Sequence, residues 1–180
     1  MNKKELIDII SAIQNLKKIK RRGWEIKLDM KNPESVADHS YSTAILSMVI
    51  GDYLELNTNK MVKMALIHDL AESIIGDYMP GENDNKEIEE NNAMKELLDT
   101  LPKKLKNEYN EIWKEYQRNE TKESKTVHDI DKFEMGLQSV EYSKILPNNY
   151  NVKDFYDEAI KVIETEEIRK ILEEYSNNNL

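Results

Sequence analysis

The sequence lacks cysteine altogether and contains little glycine or proline. Without cysteine, the chain can form neither a disulfide framework nor a thiolate metal site. Only five glycines and four prolines interrupt the 180 residues. That scarcity favours long helices joined by short connections, and it argues against an all-β or alternating β-α architecture. We therefore predict an all-α protein.

Long apolar segments and an excess of positive charge are also missing. No segment approaches the roughly 20 apolar residues of a membrane span, and the stretch MNKKELIDII lacks the apolar run of a signal peptide. The net charge of -9 argues against a nucleic-acid partner, which needs a clustered basic surface. A small phosphorylated substrate stays possible, because a metal ion and a few basic side chains can reverse the local potential. We expect a cytoplasmic protein without a membrane or nucleic-acid partner.

The residues that are present are typical of one globular domain spanning 1–180. Hydrophobic residues make up 39% and charged residues 34% of the chain, and the length is sufficient for an independent core. Apolar positions at three- and four-residue steps predict a bundle of about seven or eight helices. The predicted helices are 3–20, 35–54, 60–75, 86–101, 102–117, 122–145, 152–163 and 166–175. We expect 21–32 to be a polar connector and the Asn-rich end, 176–180, to fray.

The predicted third helix carries an unusual set of ionisable residues. Within MALIHDLAESII (64–75), the only ionisable residues are His68, Asp69 and Glu72. At about 100° per residue they share one arc of roughly 100°, and the remainder of the helix is almost entirely apolar, as in a buried helix. Uncompensated burial of charge costs on the order of several kcal/mol per ion. A divalent cation held by imidazole and carboxylate would compensate for it. A core histidine beside an acid is the alternative.

Further metal ligands would have to come from other helices. The chain has three histidines. His39 falls in the first turn of the predicted second helix, and its apolar helical neighbours indicate that it points inward, as a ligand or as a hydrogen-bonded core or capping histidine. In the segment HDID (128–131), the apolar neighbours favour Asp131 over Asp129 as an inward-facing carboxylate.

These residues resemble a known signature. The order His39, His68-Asp69, Asp131 is similar to the H…HD…D pattern of the HD-domain superfamily of metal-dependent phosphohydrolases. The blocks PESVADHS (33–40), ALIHDLAESIIGD (65–77) and DIDKFEMGLQSVEY (129–142) resemble more narrowly its YfbR-like 5′-deoxynucleotidase branch. An HD dipeptide alone is a weak signal, whereas three matched blocks in the right order are specific. The similarity extends over about 16–175.

The resemblance implies an active site built around one divalent metal ion. The implied ligands are His39, His68, Asp69 and Asp131. Glu72 matches the catalytic acid of the family, and Asp77 matches a second acid of the active-site loop. The resemblance therefore implies that both are catalytic, with the division of roles between them open. Two histidines with two carboxylates suit Mn²⁺, Co²⁺, Fe²⁺, Ni²⁺ or Zn²⁺ better than Ca²⁺.

The resemblance also implies a substrate-binding element at Arg21-Arg22-Gly23-Trp24. In such an element an arginine meets the phosphate, and the aromatic ring packs near the sugar and disfavours a 2′-hydroxyl. The substrate-binding candidates are therefore Arg21, Arg22 and Trp24, with the choice between the two arginines open. A basic helix end and a core tryptophan are the structural alternatives.

The predicted reaction is hydrolysis of a deoxyribonucleoside 5′-monophosphate to deoxynucleoside and phosphate. One alternative keeps the site but acts on nucleoside triphosphates or (p)ppGpp-like substrates, although the acidic segment 76–92 favours a monophosphate. Another is a non-catalytic, metal-stabilised scaffold that binds nucleotides. Family analogy also predicts a homodimer, for which the Tyr- and Ile-containing face of the helices after Leu101 is a candidate surface. An ordinary core explains the same residues.

Overall fold

The computed structural model describes residues 3–147 and 151–179, and within them it contains helices and no strand. The helices are α1 (Lys3–Leu16), α2 (Arg22–Leu28), α3 (Val36–Tyr53), α4 (Thr58–Ile67), α5 (Glu72–Ile75), α6 (Lys86–Asp99), α7 (Lys103–Arg118), α8 (Lys122–Ser143), α9 (Lys153–Val162) and α10 (Glu166–Asn179). The all-α prediction is confirmed, and the two short helices α2 and α5 raise the number of segments above the predicted seven or eight. No helix in the described ranges is both long and apolar enough to cross a membrane.

Helix α1 ends at Leu16, earlier than predicted, because the chain then becomes extended and pairs with the segment before α3. Lys20 and Ser35 form an isolated antiparallel bridge. Two backbone hydrogen bonds form this bridge, from Arg21 N–H to the Glu34 carbonyl at 3.0 Å and from Val36 N–H to the Ile19 carbonyl at 2.9 Å. This pairing holds the start of α2 against the start of α3.

The segment 21–32 is not the simple connector that we predicted, since it contains α2. Trp24 and Leu28 lie one helical turn apart and are 2% and 1% exposed. They pack with Tyr142, Val152 and Phe155 in a small second core. The four-residue spacing of two large apolar side chains was the available signal, and it was too short to stand out among polar neighbours.

The predicted third helix is interrupted at the His-Asp pair. Helix α4 ends at Ile67 and α5 begins at Glu72. Between them the backbone tightens to three-residue hydrogen bonds, with Leu70 N–H donating to Ile67 C=O at 3.1 Å and Glu72 N–H to Asp69 C=O at 3.0 Å. Such tightening changes the angle between successive side chains from that of a regular α-helix and often marks a functional position.

A capping box starts α3, as the spacing of Ser35 and Asp38 predicted. The Ser35 hydroxyl accepts a hydrogen bond from Asp38 N–H, and the Asp38 carboxylate accepts one from Ser35 N–H at 2.9 Å. This cap places His39 in the first turn of α3, with its side chain fully buried.

Helix α8 is the central element of the bundle, because it contacts α3, α4, α7, α9 and α10. Its inward residues Val127 and Ile130 are completely buried, as are Met61 and Met64 of α4 and Leu172 of α10. His39 of α3, the His68-Asp69 pair that directly follows α4, and Asp131 of α8 therefore lie on three helices, or directly beside them, that pack on one another.

Two expectations concern the second half of the chain. Helix α10 continues to Asn179, and Lys144 Nζ donates to the Asn179 side chain at 3.0 Å; fraying of the end at 176–180 stays a prediction. The Tyr- and Ile-containing residues after Leu101 belong largely to the core rather than to a free face. The buried ones are Ile112, Tyr116, Ile130, Tyr142, Ile163 and Ile168.

Candidate active site

The ligand atoms of His39, His68 and Asp69 lie within 4.8 Å of one another, and Asp131 contacts this group through His39. The Nε2 atoms of His39 and His68 lie 3.3 Å apart. Asp69 Oδ2 is 3.1 Å from His68 Nε2, and Asp131 Oδ1 is 3.1 Å from His39 Nε2. Ligands bound about 2.0–2.1 Å from a tetrahedral metal ion lie roughly 3.3 Å from one another. The observed separations therefore match those of atoms around a common cation.

The hydrogen bonds on the far side of each ring explain why these nitrogens can face each other. His39 Nδ1 lies 2.6 Å from Glu134 Oε2, and His68 Nδ1 lies 2.7 Å from the carbonyl of Ala65. Both partners accept hydrogen bonds, so each neutral ring carries its proton on Nδ1 and a lone pair on Nε2. Two lone pairs that face each other are unfavourable unless a proton or a metal ion lies between them.

The carboxylates around the two histidine rings also favour a cation at this point. Burial disfavours a charged His39, yet Glu134 and Asp131 outweigh burial and raise the pKa of this histidine to about 10. Asp69 Oδ2 is buried and has no hydrogen-bond partner among the described residues. An unsatisfied carboxylate oxygen beside two imidazole lone pairs fits a divalent cation, which would take the place of a proton.

The structure distinguishes Asp131 from Asp129 by what each one contacts. Asp129 turns away from the cluster and accepts hydrogen bonds from the N–H groups of Glu164 and Thr165, at 2.9 and 2.8 Å, just before α10. Asp131 faces His39, and its second oxygen lies 3.0 Å from Lys132 Nζ. The spacing argument had favoured Asp131, and this geometry gives Asp129 a structural role instead.

The third histidine lies outside the cluster. His128 Nε2 is 3.0 Å from the carbonyl of Tyr116, and its ring stacks on the Tyr116 ring with 4.0 Å between centroids. The opposite edge of Tyr116 faces His68. His128 therefore supports the wall behind a predicted ligand rather than joining the ligand set.

Glu72 lies beside the cluster in a dry environment. It is 2% exposed, its Oε2 has no hydrogen-bond partner within the described part of the chain, and its Oε1 is 3.8 Å from Lys86 Nζ. Burial and the neighbouring carboxylates of Asp69 and Asp77 raise the pKa of Glu72 well above its usual range. A carboxyl group of raised pKa in a pocket is a candidate general acid or base.

The two adjacent arginines point to different places. Arg21 Nη1 lies 3.6 Å from both Asp69 Oδ2 and Asp77 Oδ2, at the edge of the cluster. The Arg22 side chain turns outward and pairs with both oxygens of Glu82, at 2.9 and 2.7 Å. The geometry thus places Arg21 where a bound phosphate could reach it and does not bring Arg22 there, although Arg22 N–H donates to Asp77 at 2.9 Å.

Trp24 is both a core residue and part of a pocket wall. Its ring packs on Phe155 with 4.0 Å between centroids and meets Tyr142 edge-on. Its indole N–H donates to Glu34 Oε1 at 2.8 Å. Burial and the nearby Glu134 carboxylate raise the pKa of Glu34 to about 7. The ring is therefore held in one orientation by packing and by a hydrogen bond.

Three residues of the cluster, His68, Asp69 and Asp131, line a pocket of about 380 Å³, within the usual size of small-molecule sites. Its polar lining includes Arg21, Glu72 and Asp77, and its apolar lining includes Met135 and Phe155. A ligand with an anionic end and a flat or apolar body would match this division.

Sequence reasoning missed two carboxylates that are part of the arrangement. Glu34 and Glu134 lie with His39 in a second close group behind the ring. Both belong to the matched blocks 33–40 and 129–142, but neither has a spacing that predicts contact with His39. Their position depends on the packing of α3 against α8.

Comparison with known proteins identifies the family and agrees with the fold. A sequence model of the HD domain matches residues 13–172. This chain belongs to the HD-domain family. The matched range of the HD domain contains every residue of the site described above, from Arg21 to Glu134.

Curated relatives of this HD domain carry a specific activity in their names. Human 5′-deoxynucleotidase HDDC2 is 36% identical over 174 residues, covering 95% of this chain and 84% of the human protein. The 5′-deoxynucleotidase HDDC2 of Dictyostelium discoideum is 40% identical over 164 residues, covering 84% and 86% of the two chains. A conserved hypothetical protein from Pyrococcus furiosus has a solved structure with a TM-score of 0.78 and 35% identity, covering 96% of this HD domain chain and 97% of that one.

Proposed function

We propose that this protein is a metal-dependent phosphomonoester hydrolase, a 5′-deoxynucleotidase that converts deoxyribonucleoside 5′-monophosphates to deoxynucleosides and phosphate. The observation that carries the proposal is the close approach of His39, His68 and Asp69 at ligand-like separations, with Asp131 beside His39, at the wall of a pocket. Relatives named 5′-deoxynucleotidase, which are similar over most of their length, support the substrate class.

The reaction breaks the bond between phosphorus and the 5′-oxygen and forms a new bond between phosphorus and a water oxygen. A divalent ion held by the four side chains would lower the pKa of a bound water and neutralise charge on the phosphoryl group. We assign acid–base chemistry to Glu72, whose buried carboxyl is unpaired at Oε2 among the described residues. It either accepts the water proton or donates a proton to the leaving 5′-oxygen.

We assign phosphate binding to Arg21 and orientation of Arg21 to Asp77. A guanidinium can donate two parallel hydrogen bonds to a phosphate, and Arg21 lies between Asp69 and Asp77 at the pocket. Asp77 also accepts from the Arg22 backbone, so it fixes the turn from which Arg21 projects. In this assignment Asp77 acts through Arg21 rather than on the reacting atoms, and Arg22 does not contact the substrate.

Trp24 is proposed to limit the space beside the sugar. The indole cannot move aside easily, because Phe155 packs on its face and Glu34 holds its N–H. A rigid wall at this point would disfavour the additional 2′-hydroxyl of a ribonucleotide. This assignment follows the resemblance of the Arg-x-Gly-Trp element and is tested by the preference for deoxyribose.

A monophosphate is favoured over a triphosphate because the basic groups that line the pocket are engaged with acids. Lys86 lies 3.8 Å from Glu72 and 3.4 Å from Glu90. Lys132 lies 3.0 Å from Asp131. Longer phosphate chains need additional cationic groups to bind them, and this lining offers no cluster of uncommitted ones in the described residues.

A substrate panel on metal-stripped protein tests the activity. dAMP, AMP and dATP are each incubated with Mn²⁺, Co²⁺ or Zn²⁺, and phosphate, pyrophosphate and triphosphate are measured separately. We expect phosphate from dAMP, much less from AMP, and loss of turnover in the chelated protein. Release of pyrophosphate or triphosphate from dATP at a higher kcat/KM than for dAMP would favour the triphosphohydrolase alternative.

The metal is proposed to be a single Mn²⁺, Co²⁺, Fe²⁺, Ni²⁺ or Zn²⁺ ion, because two imidazoles and two carboxylates suit these metals better than Ca²⁺. Elemental analysis of the purified protein gives the metal and its stoichiometry.

The non-catalytic scaffold makes a different prediction for Glu72→Gln. A scaffold would show the same nucleotide binding and the same absence of turnover before and after this substitution.

We also propose that two copies associate through the outer face of α3. Its exposed large apolar residues, at helical spacing, are Tyr41, Ile45, Met48, Val49 and Tyr53, with exposures from 42% to 72%. An apolar stripe of this kind on a folded domain marks an interaction surface, and a twofold dimer would cover the same stripe on both copies. Light scattering after size-exclusion chromatography should report a dimer, and Val49→Glu should shift it to monomer.

The cytoplasmic location expected from the sequence stays a prediction.

A further inference from the structure

Behind the metal-facing nitrogen of His39 lies a buried carboxylate that the family signature does not include. Glu134 is 4% exposed and sits on α8, one turn after Asp131. Its Oε2 is 2.6 Å from His39 Nδ1, the ring atom opposite the cluster. Both side chains are closed off from solvent, so water cannot replace this hydrogen bond.

We infer that Glu134 is a positioning residue for the metal centre, which fixes the tautomer and orientation of His39. This inference rests on the proposed metal site. A carboxylate that accepts the Nδ1 proton leaves the Nε2 lone pair free to bind the ion and increases the basicity of that nitrogen. Glu134 touches neither the substrate nor the predicted ion.

The surroundings explain why Glu134 serves this purpose and the nearby Glu34 does not. Glu34 lies in the same group behind His39, but its Oε1 accepts the Trp24 indole N–H at 2.8 Å. That hydrogen bond ties Glu34 to the pocket wall. Glu134 is the carboxylate placed at hydrogen-bond distance from the ring.

The group Glu34, His39 and Glu134 could instead be read as a second cation site. The distance between His39 Nδ1 and Glu134 Oε2 argues against that interpretation, because 2.6 Å is the length of a charge-assisted hydrogen bond. Ligands of one tetrahedral ion at about 2.0–2.1 Å lie roughly 3.3 Å apart. A second ion would also require His39 to bridge two metals through a deprotonated ring.

The test compares Glu134→Gln with Glu141→Gln, which lies on the same helix two turns further on. Glu141 is bound to Lys144 and Tyr175 at the surface and is distant from the cluster in sequence. Both substitutions remove one carboxylate charge from α8 and preserve side-chain size. Zn²⁺ affinity is measured on metal-stripped protein by competition with a chromogenic chelator, together with the melting temperature of the metal-free form and the bound Zn²⁺ per chain.

We expect Glu134→Gln to weaken Zn²⁺ binding by about 10- to 100-fold, the usual effect of losing a partner of a histidine ligand, with a metal-free melting temperature close to that of Glu141→Gln. Equal Zn²⁺ affinity in the two variants would overturn the inference, as would two Zn²⁺ per wild-type chain with one lost in Glu134→Gln. Zn²⁺ affinity is measured without substrate, so the two proposals can fail separately. Wild-type protein that binds Zn²⁺ but does not hydrolyse dAMP would refute the proposed activity. The role of Glu134 would still be decided by the difference in Zn²⁺ affinity between the two variants.

Discussion

The Nε2 atoms of His39 and His68 face each other at 3.3 Å, although the residues are 29 positions apart in the chain. Each ring is bound on its other side, His39 by Glu134 and His68 by the carbonyl of Ala65. Neither ring can therefore turn to relieve the contact without losing a buried hydrogen bond. The protein holds two ring nitrogens in a position that is favourable when a proton or a metal ion lies between them.

Substitution of the two aspartates of the HDID segment should separate metal binding from folding. Asp131→Asn should weaken Zn²⁺ binding by at least about 100-fold, since even indirect partners of ligands contribute about 10- to 100-fold. Asp129→Ala should leave Zn²⁺ affinity nearly unchanged but lower the free energy of unfolding by about 1–3 kcal/mol, because two backbone N–H groups before α10 lose their acceptor. Chelator competition and urea denaturation measure the two effects. The reverse pattern would mean that Asp129 is the ligand.

Glu72→Gln should abolish most of the turnover while the metal stays bound. Loss of a general acid or base lowers kcat by about 10²- to 10⁴-fold, and the buried, unpaired carboxyl is placed for that chemistry. Glu87→Gln, on the exposed side of α6, is the control and should keep the wild-type kcat. Steady-state kinetics with dAMP and metal analysis of both variants check the prediction. A Glu72→Gln enzyme with wild-type kcat would exclude Glu72 from the acid–base step.

The adjacent arginines offer a matched pair for phosphate binding. Arg21→Gln should lower kcat/KM for dAMP by about 10- to 100-fold, the effect of losing hydrogen bonds from a charged donor worth about 1.5–3 kcal/mol. Arg22→Gln should have little effect on kcat/KM or on stability, because its bond to Glu82 is an exposed ion pair. Kinetics and thermal denaturation of the two variants measure this difference. Equal losses of kcat/KM would contradict the assignment of the phosphate to Arg21.

Trp24→Phe should relax the preference for deoxyribose. The smaller ring keeps part of the packing on Phe155 but loses the hydrogen bond to Glu34. We expect the ratio of kcat/KM for AMP to that for dAMP to rise by about tenfold, the lower end of what a change of one methylene achieves in a pocket. The ratio is measured with both substrates on one enzyme preparation. An unchanged ratio, with only a lower melting temperature, would make Trp24 a core residue without a role in sugar selection.

Gly136→Ala tests the packing of α8 on α9 and α10. A Cβ at this position would lie 2.6 Å from Leu172 Cδ2 and 3.0 Å from Ala159 Cβ. Overpacking of this kind costs about 1–3 kcal/mol, which outweighs the gain of about 1 kcal/mol from replacing glycine in a helix. We expect a lower free energy of unfolding in urea. A higher one would show that the helices can separate without cost.

The predictable part of the site follows from local patterns. His39 could be placed inward because a capping box and an apolar face locate it in the first turn of α3. Asp131 could be preferred to Asp129 for a similar reason. The interruption at His68 and Asp69 could not be predicted, because the apolar pattern of 60–75 continues through a turn whose hydrogen bonds are tighter than those of an α-helix. Helix α2 was missed because two buried residues are too few to give a period.

The amino-acid sequence by itself determined that the protein is helical and which residue types could hold a metal ion, since both depend on composition and on spacing within single helices. Only the tertiary structure decided that Arg21 rather than Arg22 reaches the pocket, that Asp129 binds the turn before α10, and that Glu134 contacts His39. These relationships depend on how α2, α3 and α8 lie against one another. Contacts between helices are set by the packing of side chains from distant parts of the chain. They therefore cannot be predicted from the spacing of residues within one helix.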